Sequence, residues 1–151
     1  MKPLILIVAL LLFIGKSEAQ DIANGTSKQA FSELNFGAAY IDDEFIFPGT
    51  SFLWGKTYIN EKNFIFEYEA GFALPSLVTG KVGIGKQFHT TKVVAGLRPF
   101  PFHVFLQSSF TNGKKGYWIA SVEYNPLDFE SALSFGSRAI FNLGYRWKSR
   151  K

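Results

Sequence analysis

A few side chains in this sequence have the types and spacing that chemistry requires. Glu67 and Glu69 stand two residues apart, so on a β-strand both carboxylates project from one face about 7 Å apart, as a paired acid and base could. His103 precedes Ser109, and a histidine base with a serine hydroxyl could perform nucleophilic catalysis. The run GIGKQF at 83–88 superficially matches a phosphate-binding loop.

Each of these groups has a simpler structural explanation. Cations on facing rows can pair with Glu67 and Glu69, which predicts salt bridges rather than catalysis. His103 and Ser109 would lie three residue pairs apart on one face, too far for a direct hydrogen bond, and no helix follows the glycines of the GIGKQF run. Two histidines so placed, without any cysteine, provide no ligand set for a metal. We predict no catalytic residue, no metal and no cofactor, and therefore no enzyme.

Strands must position these side chains, because apolar and polar residues alternate along most of the chain. The clearest segment, 63–74, places Phe64 and Phe66 on one row and Glu67 and Glu69 on the other. The last segment is longer than ordinary globular strands and has large aromatic residues toward both ends of its apolar row. The alternation predicts eight strands, at 31–41, 50–59, 63–74, 77–88, 92–98, 102–110, 117–124 and 131–147.

The polar rows indicate which face is enclosed. Glycine recurs on them, and glycine is expected in strands where side chains from opposite walls compete for a narrow interior. Charges of both signs share these rows, and an eight-stranded barrel has an interior that side chains alone can fill. The predicted lumen charge network consists of Glu33, Glu67, Glu69, Lys81, Lys92, Arg98, Glu123, Arg138 and Arg146.

The apolar rows would then face lipid, with aromatic rings at the two interfaces. Lys56 falls on such a row, so we expect a β-bulge at Gly55 to turn it away from lipid. The predicted aromatic girdles are Tyr58, Trp118, Tyr145 and Trp147 at the periplasmic ends and Tyr40, Trp54, Tyr124 and Phe135 at the outer ends.

Prolines divide the connections between the predicted strands into two sets. Connections one, three, five and seven contain prolines, and the other three contain none. Successive connections of an up-and-down barrel lie on opposite rims, so the prolines would collect on the outer rim, outside the hydrogen-bonded ladders. The prolines concerned are Pro48, Pro75, Pro99, Pro101 and Pro126.

Composition restricts where such a barrel could reside. A basic residue, the apolar run at 4–14 and small residues at positions 17 and 19 predict a signal peptide at 1–19, followed by a flexible leader at 20–30. No other segment is long and apolar enough for a membrane helix, so any membrane span must be made of strands. The absence of cysteine excludes disulfides, and a formal charge of +4 from scattered basic residues argues against nucleic-acid binding.

Over residues 31–147 the chain resembles the family of small eight-stranded outer-membrane β-barrels. The resemblance rests on the strand pattern and on the aromatic-rich end NLGYRW at 142–147, which is similar to the C-terminal assembly signal of such proteins; a basic tail at 148–151 follows it. It implies a porin-like monomer in the outer membrane of a Gram-negative cell, with outer-membrane lipid and the barrel-assembly machinery as partners.

Three functional hypotheses follow. The sequence predicts an all-β, eight-stranded antiparallel up-and-down transmembrane β-barrel with a largely sealed, salt-bridged lumen and a structural, adhesion-type or narrow-pore role. The first alternative is an exported, soluble, lipocalin-like barrel that binds a ligand, with the two faces exchanged. The second is an outer-membrane lipid-modifying enzyme that uses His103 and Ser109. The short loops contain no recognisable motif, so the sequence predicts no external partner.

Overall fold

A computed structural model describes residues 26–41, 45–111, 116–127 and 137–149, and these form a closed barrel. Each strand pairs antiparallel with the next, and the last pairs with the first, so the predicted eight-stranded antiparallel barrel is confirmed. The predicted signal peptide, residues 20–25 of the predicted leader and Phe135 lie outside the described residues. The strands are β1 (Ser27–Ile41), β2 (Phe45–Ile59), β3 (Phe64–Leu74), β4 (Leu77–Phe88), β5 (Thr91–Phe100), β6 (His103–Thr111), β7 (Gly116–Tyr124) and β8 (Ser137–Lys148).

The connections alternate between two rims of the barrel. The first rim has the connections β1–β2, β3–β4, β5–β6 and β7–β8. The second rim has the other three connections, together with the beginning of β1 and the end of β8. On the second rim, Asn63 and His89 adopt positive φ angles of 62° and 51° beside tight turns, a backbone conformation that asparagine and histidine adopt more readily than most residues.

Two predicted boundaries are wrong because pairing extends past the alternating pattern. β1 begins at Ser27, within the predicted leader, since residues 27–30 pair with 56–59 of β2. The basic tail is also partly strand, because Lys148 ends β8 and lies opposite Phe31. Backbone hydrogen bonds hold these residues regardless of whether their side chains alternate in polarity.

Two prolines predicted in connections lie inside strands. Pro48 belongs to β2, but residues 45–49 pair with β1 alone, since the register with β3 begins at Thr50. Pro99 lies at a β-bulge, where the register between β4 and β5 shifts. Both sites spare proline a full two-sided ladder, which its missing N–H could not complete.

A second register shift changes the orientation of residues in β8. Tyr40 of β1 lies opposite Ala139, but the next residue of β1 lies opposite Ser137, so Arg138 is an extra residue in β8. An extra residue exchanges the two faces beyond it. By contrast, β2 runs in continuous register through Gly55, so the bulge predicted there is wrong and Lys56 stays on the outward row.

The interior also contains large apolar side chains beside the charges. Phe31 and Phe105 point inward and are buried. Each fits because a glycine faces it: a methyl group on Gly55 would lie 2.5 Å from Phe31 Cζ, and one on Gly83 would lie 2.9 Å from Phe105 Cζ. The absence of a side chain at these glycines therefore makes room for aromatic rings from β1 and β6.

Candidate functional site

The inward rows carry most of the predicted charge network into the barrel interior. Arg138 is exposed and is the extra residue of the β8 bulge, so it is not one of the buried lumen charges, as was predicted; Ser137 is buried inside instead. Among the described residues, four inward carboxylates face four inward cations, so the formal charges of this set balance. The buried members are Glu33, Glu67, Glu69, Lys81, Lys92, Arg98, Glu123 and Arg146.

Arg146 on β8 is the centre of the first cluster of charges. Its guanidinium donates to Glu33 at 2.6 Å, to Glu67 at 2.7 Å and to Glu69 at 3.3 Å. The guanidinium carbon also lies 3.6 Å from the centroid of the Phe31 ring. Three strands, β1, β3 and β8, are therefore joined across the lumen by one side chain.

Glu123 on β7 is the centre of the second cluster. Arg98 binds both of its carboxylate oxygens, with Nε 2.6 Å from Oε2 and Nη2 2.7 Å from Oε1. Lys81 lies 3.0 Å from Glu123 and 3.6 Å from Glu69, so it connects the second cluster to the first. A bidentate arginine and a bridging lysine compensate the charge of this carboxylate, which is fully buried.

Neutral polar side chains complete the network, and the sequence analysis did not single them out. Glu67 accepts hydrogen bonds from Thr57 at 2.6 Å and from Gln107 at 3.4 Å, in addition to those from Arg146. The signal for them was their place on the same inward rows, and two of them, Asn35 and Thr79, stand two residues from a charge. The set comprises Asn35, Thr57, Thr79, Gln107 and Asn142.

His103 lies on the inward row of β6, but its partner is not Ser109. His103 Nε2 lies 3.1 Å from Ser137 Oγ, and Nδ1 lies 3.0 Å from the carbonyl oxygen of Pro101. A carbonyl only accepts hydrogen bonds, so Nδ1 carries the proton and Nε2 accepts from the Ser137 hydroxyl. The bulge in β8 creates this contact, because it turns Ser137 inward.

Among the described residues, a small cavity lies at each mouth of the barrel. The cavity at the first rim has a volume of about 70 Å³ and is lined mainly by small residues, with Ser137 and Arg98 among them. The cavity at the second rim has a volume of about 170 Å³ and is lined by polar residues that include Lys92. Between them lie the charge network and the buried side chains of Leu53 and Ile119.

The described girdle residues all lie on outward rows. Near the second rim, the ring centroids of Trp118 and Tyr145 are 5.2 Å apart, and those of Tyr145 and Trp147 are 5.3 Å apart. Trp54 lies opposite Ser32 of β1, nearer the second-rim ends of β1 and β2, and so not at the outer end where it was predicted. Tyr58 lies near the end of β2 at the second rim, and Tyr40 and Tyr124 lie at first-rim ends.

Comparisons with known proteins found no match: no protein-family model, curated protein or solved structure matches the chain. The described ranges contain no helix of the length and hydrophobicity that crossing a membrane requires. Within those same ranges, no group of three or more histidine, cysteine, aspartate or glutamate side chains is arranged to hold a metal ion.

Proposed function

We propose that this protein is an integral outer-membrane β-barrel with a lumen sealed by ion pairs, acting as a structural or adhesion-type component. The observation that carries the proposal is the distribution of polarity across the wall. Glu33 and Glu123 are 0% exposed, whereas Ile84 and Leu143 are 70% and 68% exposed. Soluble proteins seldom expose large contiguous apolar surfaces, but an apolar exterior is what hydrocarbon requires.

The positions of the outward charges support the same proposal. Among the described strand residues, the charged side chains that lie off the inward rows are Lys28, Lys56, Lys86 and Arg138, and each lies within four residues of a strand end. Lys28 Nζ lies 5.2 Å from the centroid of the Tyr58 ring. Lysines beside aromatic rings can extend toward lipid headgroups, and the belt between the rims is left without charge.

A lipocalin-like soluble barrel would need the opposite arrangement. Such a barrel binds its ligand in an apolar interior and presents polar residues to water. Here the ion pairs of Arg146 and Glu123 occupy the interior, and the largest apolar side chains are mostly outside. The geometry therefore favours the membrane protein over the ligand carrier.

Fractionation and gel mobility test the proposal together. We expect the protein to stay with outer membranes after urea or carbonate washing, and to migrate faster on a gel before boiling than after it. A soluble periplasmic protein from the same cells is the control for washing. Recovery of folded protein in the wash without detergent would contradict membrane insertion.

Conductance distinguishes a sealed lumen from a narrow pore. Because three carboxylates bind Arg146 and two cations bind Glu123, ions entering the lumen would have to break these pairs. We expect no stable current steps when the purified protein is inserted in planar bilayers. Reproducible single-channel steps would favour the narrow-pore role.

A lipid-modifying enzyme remains the second candidate, because the structure pairs His103 with a serine. In this reaction Ser137 Oγ would attack an ester carbonyl while His103 Nε2 takes its proton. His103 would return that proton to the leaving alcohol, and water would then hydrolyse the acyl-serine. Release of acyl chains from envelope lipids should then be lost in Ser137→Ala and kept in Ser109→Ala. Absence of acyl release by the wild-type protein would dismiss this candidate.

A further inference from the structure

Lys92 differs from the other lumen cations in its contacts. It is 5% exposed and lies beside the second rim, as the second residue of β5. Across the ranges that the structure describes, its Nζ contacts the Tyr117 ring, 4.6 Å from the centroid, but forms no hydrogen bond or ion pair. A cation–π contact does not use the three N–H donors of an ammonium group, so these donors still require acceptors.

The nearby carboxylate of Glu67 is already saturated. Its Oε2 accepts from Thr57 and Arg146, and its Oε1 accepts from Arg146 and Gln107. A carboxylate has about four acceptor positions, and all four are used here. Lys92 must therefore find its acceptors on the other side, toward the barrel mouth.

The second-rim cavity lies on that side. Its volume is about 170 Å³, several times the roughly 30 Å³ that one water molecule occupies in the liquid. The lining residues carry an amide, an imidazole and three hydroxyl groups besides the ammonium of Lys92. The lining residues are Gln87, His89, Thr90, Lys92, Thr111 and Tyr117.

A second cation stands at the same ring. Lys148 Nζ lies 5.3 Å from the centroid of Tyr117, so both ammonium groups lie around one aromatic side chain. The eight buried charges of the lumen already balance without Lys148, which therefore gives this mouth an excess positive charge. Two ammonium groups at one ring, with neutral donors lining the adjacent cavity, match an anion that has several acceptor oxygens.

We propose that the second-rim mouth of the barrel binds a phosphate-type oxyanion through Lys92 and Lys148. Tyr117 positions the two ammonium groups, and the neutral donors of Gln87 and Thr111 line the same cavity. The cavity and Lys92 belong to the mouth of the lumen, and Lys148 is exposed at the same rim, so the inference does not depend on what surrounds the outer wall.

Phosphate titration of the full-length protein, folded in zwitterionic micelles or in buffer, tests the site. Binding is followed by the ³¹P line width and by the unfolding temperature, with chloride at equal ionic strength as the control for screening. We expect saturable binding with a Kd that rises about tenfold or more in Lys92→Met, because a charge-assisted hydrogen bond is lost. Lys148→Met should also weaken binding.

Lys86→Met is the matched control, because Lys86 lies near the same rim but on the outward row, and its Kd should equal that of wild type. If Lys92→Met does not fold, Lys148→Met alone carries the comparison. The proposal is overturned if wild type shows no saturable phosphate binding, or if neither Lys92→Met nor Lys148→Met differs from Lys86→Met.

Two further arms identify the oxyanion. Stabilisation by phosphatidylglycerol micelles without free phosphate, lost in Lys92→Met, would assign the site to a lipid headgroup. Stabilisation by inorganic phosphate alone would assign it to a soluble ion. Equal stabilisation by acetate would overturn the preference for a phosphate-type anion.

Discussion

Arg146 keeps three carboxylates together that would repel one another without it. We expect Arg146→Met to lower the free energy of unfolding by about 3–5 kcal/mol, because buried carboxylates lose their shared cation. Urea unfolding in micelles, followed by tryptophan fluorescence, measures the change. Adding Glu67→Gln should recover part of the loss, since it removes one of the uncompensated charges.

Arg138→Met is the control for Arg146→Met, because it removes the same charged group from an exposed position of the same strand. Exposed substitutions usually change stability by no more than about 0.5 kcal/mol. Equal losses in the two variants would mean that the lumen ion pairs contribute nothing specific to stability.

Gly83 and Phe105 form a matched pair inside the wall. A methyl group at Gly83 would lie 2.9 Å from Phe105 Cζ and 2.7 Å from Val94 Cγ1, so we expect Gly83→Ala to destabilise the barrel by roughly 1–3 kcal/mol. Shortening the ring in Gly83→Ala, Phe105→Leu should restore part of this stability in the same urea titration. No recovery in the double variant would place the strain at the backbone instead.

The residues of the lumen were largely predictable, but their partners were not. Glu67 and Glu69 are inward because strand side chains alternate, which a single sequence reveals. The contact between His103 and Ser137 depends on how β6 and β8 face each other across the lumen and on a bulge, neither of which alternation encodes. The alternation along β6 predicts that Phe105 points inward. It does not predict that Gly83 is the residue that makes room for the ring.

At the scale of the strand, the bulge at Arg138 predicts which deletion β8 can tolerate. Removing Arg138 should leave Ser137 opposite β1 and facing inward, because Arg138 is the extra residue. Removing Leu143 should instead shift half the strand by one position and exchange its faces. Refolding yield, read from the faster gel band of the unboiled protein, should stay near wild type for the first deletion and fall sharply for the second.

Loss of folding in both deletions would mean that the bulge itself is needed for folding. Strand ends were the least predictable elements for a related reason. Residues 27–30 and 45–49 are held by pairing with a neighbouring strand, and pairing depends on partners that are distant in sequence.

At the scale of the whole molecule, the outer wall provides the sharpest test of its surroundings. Leu143 lies on the outward row and is far from both strand ends, so in lipid we expect Leu143→Lys to lower the free energy of unfolding by roughly 2–4 kcal/mol. In a soluble barrel the same exposed substitution should cost no more than about 0.5 kcal/mol. Unfolding titrations in lipid vesicles measure the difference.

Lys86→Leu completes that comparison, since it removes a charge near the rim and should be close to neutral in vesicles. A small effect of Leu143→Lys on the free energy of unfolding in vesicles would contradict the proposed membrane location, but it would not contradict the barrel fold.

The overhang of β2 beyond β3 has a consequence for how copies of this protein meet. At the first rim β2 extends past the point where its register with β3 begins, at Thr50, and strand edges that extend past a neighbour invite a second chain to add a strand and start aggregation. Pro48 interrupts that edge, because it cannot donate the hydrogen bond that an incoming strand would need. The barrel wall thus projects at the first rim where β2 extends past β3, and Pro48 protects this projection from pairing with a second copy of the chain.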